Sequence, residues 1–273
     1  MSRTGIVWLA SYPKSGNTWV RCLIASLRKG NAALTLDELA PALPNAASRA
    51  WLERHLEVDI ADLTPSELQP LRGAAHRRCA MQGSSVLKVH DRYDPMLFPA
   101  VATSGIVYIV RDPRDVAPSW ADHAGIDLDA AIAQLAERTT VSHTLARYRP
   151  QTRQCFGSWS EHVASWLHAP GPRLLLRYED LLANPLQETA RLAGFLGLPT
   201  APARIAHAVA ACRFEVLRDS EERHGFVERQ HGQARFFRQG RAGAWRSALS
   251  AAQAARMLAC HGPTMAWLGY HDA

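Results

Sequence analysis

A short turn of small residues follows the first apolar run of the chain and has the composition of an anion-binding loop. Tyr12 to Trp19 reads YPKSGNTW and comes directly after the run that begins at Ile6. Gly16 has no Cβ, so an oxyanion can approach the main chain, and a helix starting there would direct unpaired N–H groups and its positive dipole end at that anion. The Lys14 ammonium could neutralise charge on a leaving phosphate oxygen. A strand-turn-helix with an ordinary surface lysine is the alternative.

This turn differs from the ATP-binding loop, which reads G-x-x-x-x-G-K-[ST]. Ser11 stands at the first glycine position, Asn17 replaces the lysine, and Thr18 follows. The cation therefore lies upstream, at Lys14. A nucleotide kinase or another P-loop phosphotransferase needs a lysine at position 17 together with magnesium, so Asn17 counts against that class of enzyme.

A second junction of the same kind lies at the end of the apolar run from Ile106 to Val110. Arg111 follows this run, Pro113 suits the first turn of a helix, and Ser119 comes about two helical turns later. An arginine fork and a hydroxyl could together hold a second phosphate. An Arg111–Asp115 ion pair that only fastens the strand to the helix is an alternative that the residues leave open.

The run Ser85 to His90 ends on polar residues, as a parallel strand does when it ends at an active-site edge. Lys88 and His90 are two residues apart, so both side chains can lie on one face of a strand. Such a pair places a base beside a cation. A lone histidine is more often structural, and this alternative also stays open.

The pattern of elements predicts an α/β fold with one domain, in which a central, mostly parallel sheet has helices on both faces. Strands are predicted at 6–11, 85–90, 106–110 and 173–178, and helices at 17–29, 64–83, 127–149, 157–168, 186–196, 202–211 and 250–261. The charged stretch from 218 to 241 is interpreted as a mobile loop over the site. A solvated surface loop is the alternative.

Composition narrows the class of protein. A net charge of +6 suits a polyanionic ligand, but the basic residues are scattered apart from the tract 235–241, which disfavours a nucleic-acid-binding module. Five widely spaced cysteines without a C-x-x-C pair argue against a disulfide framework or a structural zinc site. With no apolar run long enough to cross a membrane, we expect a cytoplasmic protein without a nucleic-acid or membrane partner.

Two stretches together resemble the family of cytosolic-type sulfotransferases that use 3′-phosphoadenosine 5′-phosphosulfate (PAPS). YPKSGNTW is similar to the family's 5′-phosphosulfate loop, and the run from Arg111 to Ser119 (RDPRDVAPS) is similar to its 3′-phosphate motif. LKVH at 87–90, YEDL at 178–181 and the glycine-rich stretch from Arg238 to Trp245 resemble three further family elements. The resemblance implies a P-loop NTPase-like sulfotransferase fold over residues 1–273, as in small-molecule or natural-product sulfotransferases of bacterial type.

The resemblance also implies roles for individual residues. His90 would be the general base, Lys88 would support the transferring sulfuryl oxygens, and Lys14 would stabilise the leaving phosphate. Tyr178 and Phe214 would flank adenine. The full set implied to bind the donor is Lys14, Ser15, Gly16, Asn17, Thr18, Trp19, Arg111, Ser119, Tyr178, Phe214, Arg238, Gln239 and Gly240. No metal is required by this set.

Some positions depart from the family pattern. Gln239 stands where lysine is usual, Cys212 where a hydroxyl residue is common, and Ala244 where aspartate is common. These departures predict a weaker grip on the 3′-phosphate and no donor contact from Cys212. The acceptor pocket would be built from variable loops at 31–60, 91–100, 120–126 and 219–235, so the acceptor is predicted only as a small hydroxylated or aromatic molecule. The sequence assigns no oligomeric state.

Overall fold

One parallel sheet lies at the centre of the computed structural model, which describes residues 4–30, 32, 35–142, 150–229 and 233–270. In these ranges the sheet has four strands in the order β2-β1-β3-β4. They are β1 (Gly5–Ser11), β2 (Ser84–Val89), β3 (Thr103–Val110) and β4 (Arg173–Arg177). Because all four strands run parallel, their carboxyl ends share one edge of the sheet. The strand order reverses between β1 and β3. Open α/β sheets bind ligands at such a switch point.

Helices surround this sheet. They are α1 (Asn17–Lys29), α2 (Leu39–Ala42), α3 (Arg49–Leu56), α4 (Pro65–Gln82), α5 (Pro113–Ala124), α6 (Leu128–Ala136), α7 (Trp159–Leu167), α8 (Tyr178–Ala183), α9 (Pro185–Leu196), α10 (Pro202–Ala211), α11 (Phe214–His224), α12 (Trp245–Ala248) and α13 (Ala251–Trp267). Within the described ranges, none is both long enough and apolar enough to cross a membrane.

Alternation along the strands explains why helices lie on both faces. Trp8 and Tyr108 are fully buried in one cluster, together with side chains of α4, α7 and α13. Their chain neighbours Leu9 and Val107 are fully buried in a second cluster, on the opposite face, with side chains of α1 and α9. Strands that are apolar on both faces need a helical layer on each side. The predicted fold class, an α/β domain with a parallel central sheet, is confirmed.

Two predicted helix lengths are wrong. The helix predicted over 127–149 ends at Ala136, and the Thr140 hydroxyl then donates to the carbonyl of Gln134 at 2.6 Å. Residues 143–149 lie outside the described residues. The terminal helix continues to Trp267 instead of ending at 261, because Met265 is fully buried against the core.

The stretch interpreted as a loop from 218 begins inside a helix, because α11 extends from Phe214 to His224. The charged residues of this stretch favour an exposed loop, but one of them, Glu221, is only 2% exposed. Its carboxylate accepts from the backbone N–H groups of Phe236 at 2.7 Å and Phe237 at 3.0 Å. The part of the predicted loop at 230–232 lies outside the described residues.

Candidate active site

The turn from Pro13 to Gly16 joins β1 to α1 at the carboxyl edge of the sheet. Gly16 has a φ of 100°, and a Cβ at this position would lie 2.7 Å from the Tyr178 ring, so the turn needs glycine. The Ser15 hydroxyl is fully buried and has no hydrogen-bond partner among the described residues. Buried polar groups normally have partners. An anion at the N-terminus of α1 would supply one and would match the helix dipole.

Asn17 stabilises the turn instead of supplying a cation. Its side chain is 4% exposed, and Nδ2 donates to the Leu9 carbonyl at 3.1 Å and to the Ser11 hydroxyl at 3.2 Å. The amide therefore ties the start of α1 to the end of β1. The backbone N–H groups of residues 15–19 are left as the donors that the sequence predicts.

Lys14 supplies the positive charge at the turn. It has a φ of 66°, an uncommon conformation for a residue with a side chain, and such strain is often found at functional sites. Its ammonium lies 4.4 Å from the centre of the Phe236 ring. Burial lowers the pKa of Lys14 to about 8. Asp122 opposes this shift, while the nearby cations Lys88 and Arg111 reinforce it. A bound anion would stabilise this crowded cluster of positive charges.

His90 follows β2 and is oriented by a backbone carbonyl. Its Nδ1 lies 2.8 Å from the Ser11 carbonyl oxygen. Because a carbonyl can only accept, Nδ1 carries the proton and Nε2 keeps its lone pair. Burial, followed by the charge of Lys88, holds the pKa of His90 well below its ordinary value. The ring is therefore neutral at neutral pH and can accept a proton through Nε2.

A buried pair of side chains behind His90 fixes its backbone. His162 is fully buried, and its Nε2 donates to the His90 carbonyl at 3.1 Å. The Tyr108 hydroxyl lies 2.9 Å from Nδ1 of the same histidine and donates to it. This chain of hydrogen bonds runs from β3 through α7 to the end of β2. It limits the movement of His90 relative to the turn.

Arg111 forms the second cationic centre, at the end of β3. Its guanidinium stacks 4.4 Å from the centre of the Tyr178 ring and donates to the carbonyls of Lys14 at 3.2 Å and Arg241 at 3.0 Å. Its Nε is buried and has no partner in the described part of the chain. Ser119 is half-buried and lies on α5, two turns after Arg111. Arg111 thus reaches both the anion turn and the glycine-rich stretch.

Asp115 holds the glycine-rich stretch in place. Its carboxylate is 2% exposed and accepts from the backbone N–H groups of Gly243 at 2.6 Å and Trp245 at 2.8 Å. These two hydrogen bonds account for the buried Asp115 carboxylate without the alternative, an Arg111–Asp115 ion pair. Gly240 has a φ of 60°, and a Cβ there would overlap the Phe214 ring. The stretch passes directly over that ring.

The side chains of Arg238 and Gln239 are exposed in this stretch. The Gln239 side-chain oxygen accepts from Arg241 Nε at 3.4 Å. The backbone of the same stretch lies beside Arg111, through the carbonyl of Arg241. Arg238 and Gln239, both predicted to bind the donor, therefore lie a few residues from Arg241, which contacts Arg111, and their side chains are exposed to solvent.

An apolar cleft of about 470 Å³ lies beside the anion turn. Trp19, Cys212 and Phe214 line it, together with side chains of α8, α9 and α10. The Trp19 indole donates from Nε1 to the Cys212 carbonyl at 2.9 Å, which fixes the ring plane. Two aromatic rings in an apolar cleft suit a flat heterocycle. Tyr178 is not in this lining; its ring lies edge-on to Trp19, with the ring centres 5.7 Å apart.

These features agree with a known family. A family model described as the sulfotransferase domain matches residues 5–269. The chain belongs to the sulfotransferase family. The predicted recognition, as a PAPS-dependent sulfotransferase of cytosolic type, is confirmed.

Individual relatives of this sulfotransferase are distant. Cytosolic sulfotransferase 17 of Arabidopsis thaliana is 26% identical over 272 residues, which cover 94% of this chain and 73% of the relative. Flavonol 3-sulfotransferase of Flaveria bidentis is 24% identical over 260 residues, which cover 88% of this chain and 75% of the relative. The structure of mouse sulfotransferase SULT7A1 complexed with PAP matches with a TM-score of 0.62 and 19% identity, covering 97% and 84% of the two chains.

Sequence reasoning missed one acid in this sulfotransferase. The Glu228 carboxylate lies among Thr18, Arg21 and Lys88 and accepts a hydrogen bond from each of them. The missed signal was Arg21, an arginine that stands between apolar residues of the first helix and whose side chain is buried and needs a counter-ion. The sequence analysis also predicted a donor contact from Trp19 only through its backbone N–H group. The Trp19 ring lines the cleft.

Proposed function

We propose that this sulfotransferase moves the sulfuryl group of PAPS to a hydroxyl or amine of a small-molecule acceptor, with His90 as the general base. The observation that carries the proposal is the neutral, oriented His90 beside Lys88, on the same sheet edge as the anion turn that carries Lys14. A base beside one cation, with a second cation at the anion turn, suits the transfer of an anionic group to a proton-bearing oxygen.

The donor would occupy three neighbouring parts of the site. The 5′-phosphosulfate would lie at the turn, held by Lys14, the hydroxyls of Ser15 and Thr18, and the N–H groups of residues 15–19. The unpartnered buried Ser15 hydroxyl fits such an anion. Adenine would enter the cleft between Trp19 and Phe214, with Tyr178 beside it. Gly16 and Asn17 shape the turn itself.

The 3′-phosphate would lie at the second cationic centre. Arg111 offers its buried Nε, which lacks a partner among described residues, and Ser119 offers a hydroxyl. The backbone at Gly240 and the side chains of Arg238 and Gln239 would close over this phosphate. Since Gln239 carries no charge, its contribution would be smaller than that of a lysine.

The reaction requires one proton transfer and one exchange of a sulfur–oxygen bond. His90 Nε2 takes the acceptor's proton while the acceptor oxygen bonds to sulfur. The bond between sulfur and the bridging oxygen breaks, and its electron pair leaves with the 5′-phosphate of the product nucleotide. Lys14 neutralises that charge, and Lys88 supports the oxygens of the sulfuryl group. None of these steps uses a metal ion.

We assign residues 1–273 to one sulfotransferase domain that acts in the cytoplasm on a small-molecule acceptor. The cytosolic names of relatives and the flavonol named for one of them support this assignment. A hydroxylated aromatic compound is thus a sensible first probe. The proposal assigns no nucleic-acid or membrane partner.

The test compares adenosine 3′,5′-bisphosphate with AMP, which lacks only the 3′-phosphate, and with ATP. We expect adenosine 3′,5′-bisphosphate to raise the melting temperature without magnesium, because charge-assisted hydrogen bonds contribute about 1.5–3 kcal/mol each and ligand binding stabilises the folded state. AMP and ATP should have little effect, and Arg111→Ala should erase the difference between the bisphosphate and AMP. Differential scanning fluorimetry provides the measurement.

The exposed Arg78, which pairs with Glu57, serves as the matched control. Arg78→Ala should leave the preference for the bisphosphate unchanged. Stabilisation by ATP that depends on magnesium would instead favour a phosphotransferase.

A further inference from the structure

Glu228 contacts two elements of the anion site from a distant part of the chain. It follows α11, and its carboxylate accepts from Arg21 Nη1 at 2.5 Å, from Lys88 Nζ at 3.1 Å and from the Thr18 hydroxyl at 3.2 Å. Thr18 and Arg21 lie on α1, and Lys88 lies on β2. A single carboxylate therefore joins the start of α1 to the end of β2.

This carboxylate is charged in the folded protein. Burial alone would raise the pKa of Glu228, but Lys88 and Arg21 hold it well below its ordinary value. Glu228 in turn opposes the effect of burial on Lys88, whose pKa is lowered. The pair is therefore an ion pair with little access to solvent. It neutralises part of the positive charge near the turn.

The three contacts resemble those of a bound oxyanion. Carboxylate and phosphate or sulfate oxygens accept the same charge-assisted hydrogen bonds from ammonium, guanidinium and hydroxyl groups. Two of the donors, Thr18 and Lys88, are those assigned above to the phosphosulfate. A doubly charged phosphosulfate and a carboxylate placed side by side would repel each other, so they cannot share these donors without loss.

The segment that carries Glu228 also contacts the other active-site lysine through aromatic rings. The Phe226 and Phe236 rings meet edge to face with their centres 4.8 Å apart. The Lys14 ammonium lies 4.4 Å from the centre of the Phe236 ring. In this arrangement Lys88 is held by Glu228, and Lys14 is held by a ring that packs against the same segment.

We infer that Glu228 is an internal competitor of the donor: its carboxylate occupies Thr18 and Lys88 in the nucleotide-free enzyme and leaves them when the 5′-phosphate or phosphosulfate binds. The inference rests on the proposed function and adds a form of regulation to the same site. Its consequence is that Glu228 keeps Lys88 paired in the free enzyme and lowers the affinity for nucleotide.

The first test removes the negative charge of Glu228 and keeps the shape of its side chain. Glu228→Gln should bind adenosine 3′,5′-bisphosphate more tightly by roughly tenfold or more, as measured by isothermal titration calorimetry, because the amide competes poorly for Lys88. Glu222→Gln is the control, since this exposed acid of the same region pairs with Arg235, and its affinity should equal that of the wild type. Equal or weaker binding by Glu228→Gln would contradict the inference and would indicate that Glu228 positions Lys88 for the donor.

A second measurement uses the wild-type protein and does not depend on the variant's folding. Carbodiimide labelling with an amine, read by mass spectrometry, should modify Glu228 faster when the bisphosphate is saturating, since the carboxylate has then left Thr18 and Lys88. Unchanged or slower labelling would overturn the inference. If the wild-type protein does not bind the bisphosphate at all, the proposed function fails. Binding of the bisphosphate without faster labelling of Glu228 would reject only the inference that Glu228 competes with the donor.

Discussion

At the scale of the residue, His90 combines the two properties that a general base needs. The hydrogen bond from Nδ1 to the Ser11 carbonyl leaves Nε2 free to accept, and burial keeps the ring neutral. Lys14 differs from His90 because it is still mostly charged at neutral pH, since burial lowers its pKa only to about 8. The two residues should therefore have separable effects on catalysis and on nucleotide binding.

His90→Ala should lower turnover by roughly 10²–10⁴-fold while the affinity for adenosine 3′,5′-bisphosphate stays close to that of the wild type. The reason is that proton transfer is needed only in the transition state. Steady-state kinetics with labelled donor and calorimetry with the product nucleotide measure the two quantities. His168→Ala changes an exposed histidine and should alter neither. Comparable losses of affinity in His90→Ala and Lys14→Ala would reject the role of base.

At the scale of the element, α5 positions the glycine-rich stretch that follows α11. The contact is made by Asp115, whose two carboxylate oxygens accept separately from Gly243 and Trp245. The stretch then reaches Arg111 through a backbone carbonyl and covers Phe214 through Gly240. Helix α5 therefore provides both Ser119 and the anchor for the residues proposed to close over the 3′-phosphate.

Asp115→Asn should weaken binding of adenosine 3′,5′-bisphosphate by about tenfold, because an amide can oppose only one of the two backbone donors well and the other loses a hydrogen bond to a charged group. Binding of AMP should change little, and calorimetry with both nucleotides separates the two effects. Asp127→Asn is a suitable control. Asp127 caps α6 by accepting from the Ala130 N–H at 2.7 Å, away from the site. An equal loss for both nucleotides would indicate general unfolding instead of a positioning role.

At the scale of the whole molecule, several histidines are buried as neutral side chains. Burial lowers the pKa of His76 to about 3 and that of His162 to about 3. His76 is fully buried, and its ring centre lies 4.9 Å from that of Trp8. In the unfolded chain these groups return to an ordinary pKa of about 6.5. Between the two pKa values the unfolded state binds more protons than the folded state.

The free energy of unfolding should therefore decrease as the pH falls from about 6.5 to 5, by up to about 1.4 kcal/mol per pH unit for each such histidine. Their stabilisation is fully present above pH 6.5 and is lost progressively toward the folded pKa values. Urea unfolding at pH 7, 6 and 5 measures the slope. His162→Gln should reduce that slope, whereas the exposed His168→Gln should leave it unchanged. A stability that is constant from pH 7 to 5 would contradict the neutral burial of these rings.

The sequence by itself determined the parallel sheet and the sheet edge at which the candidate site lies. Apolar runs of strand length that are followed by polar residues at Ser11, His90 and Arg111 are local features, and parallel strands necessarily bring their carboxyl ends to one edge. Motif spacing then gave the anion turn and the second cationic centre. Helix ends were less well determined: the charges of α11 suggested a loop, although Glu221 faces inward and accepts from the backbone at Phe236 and Phe237.

Only the tertiary structure decided which side chains meet across the chain. Glu228 and Lys88 are separated by 140 positions, and no local pattern indicates that their side chains come into contact. The same holds for Asp115 and the backbone at Gly243, and for Trp19, whose ring lies in the cleft beside Phe214. Such pairings depend on where the connections between elements return to the sheet edge. The path of each connection is set by the packing of the whole core, and the spacing of residues along the sequence does not show that packing.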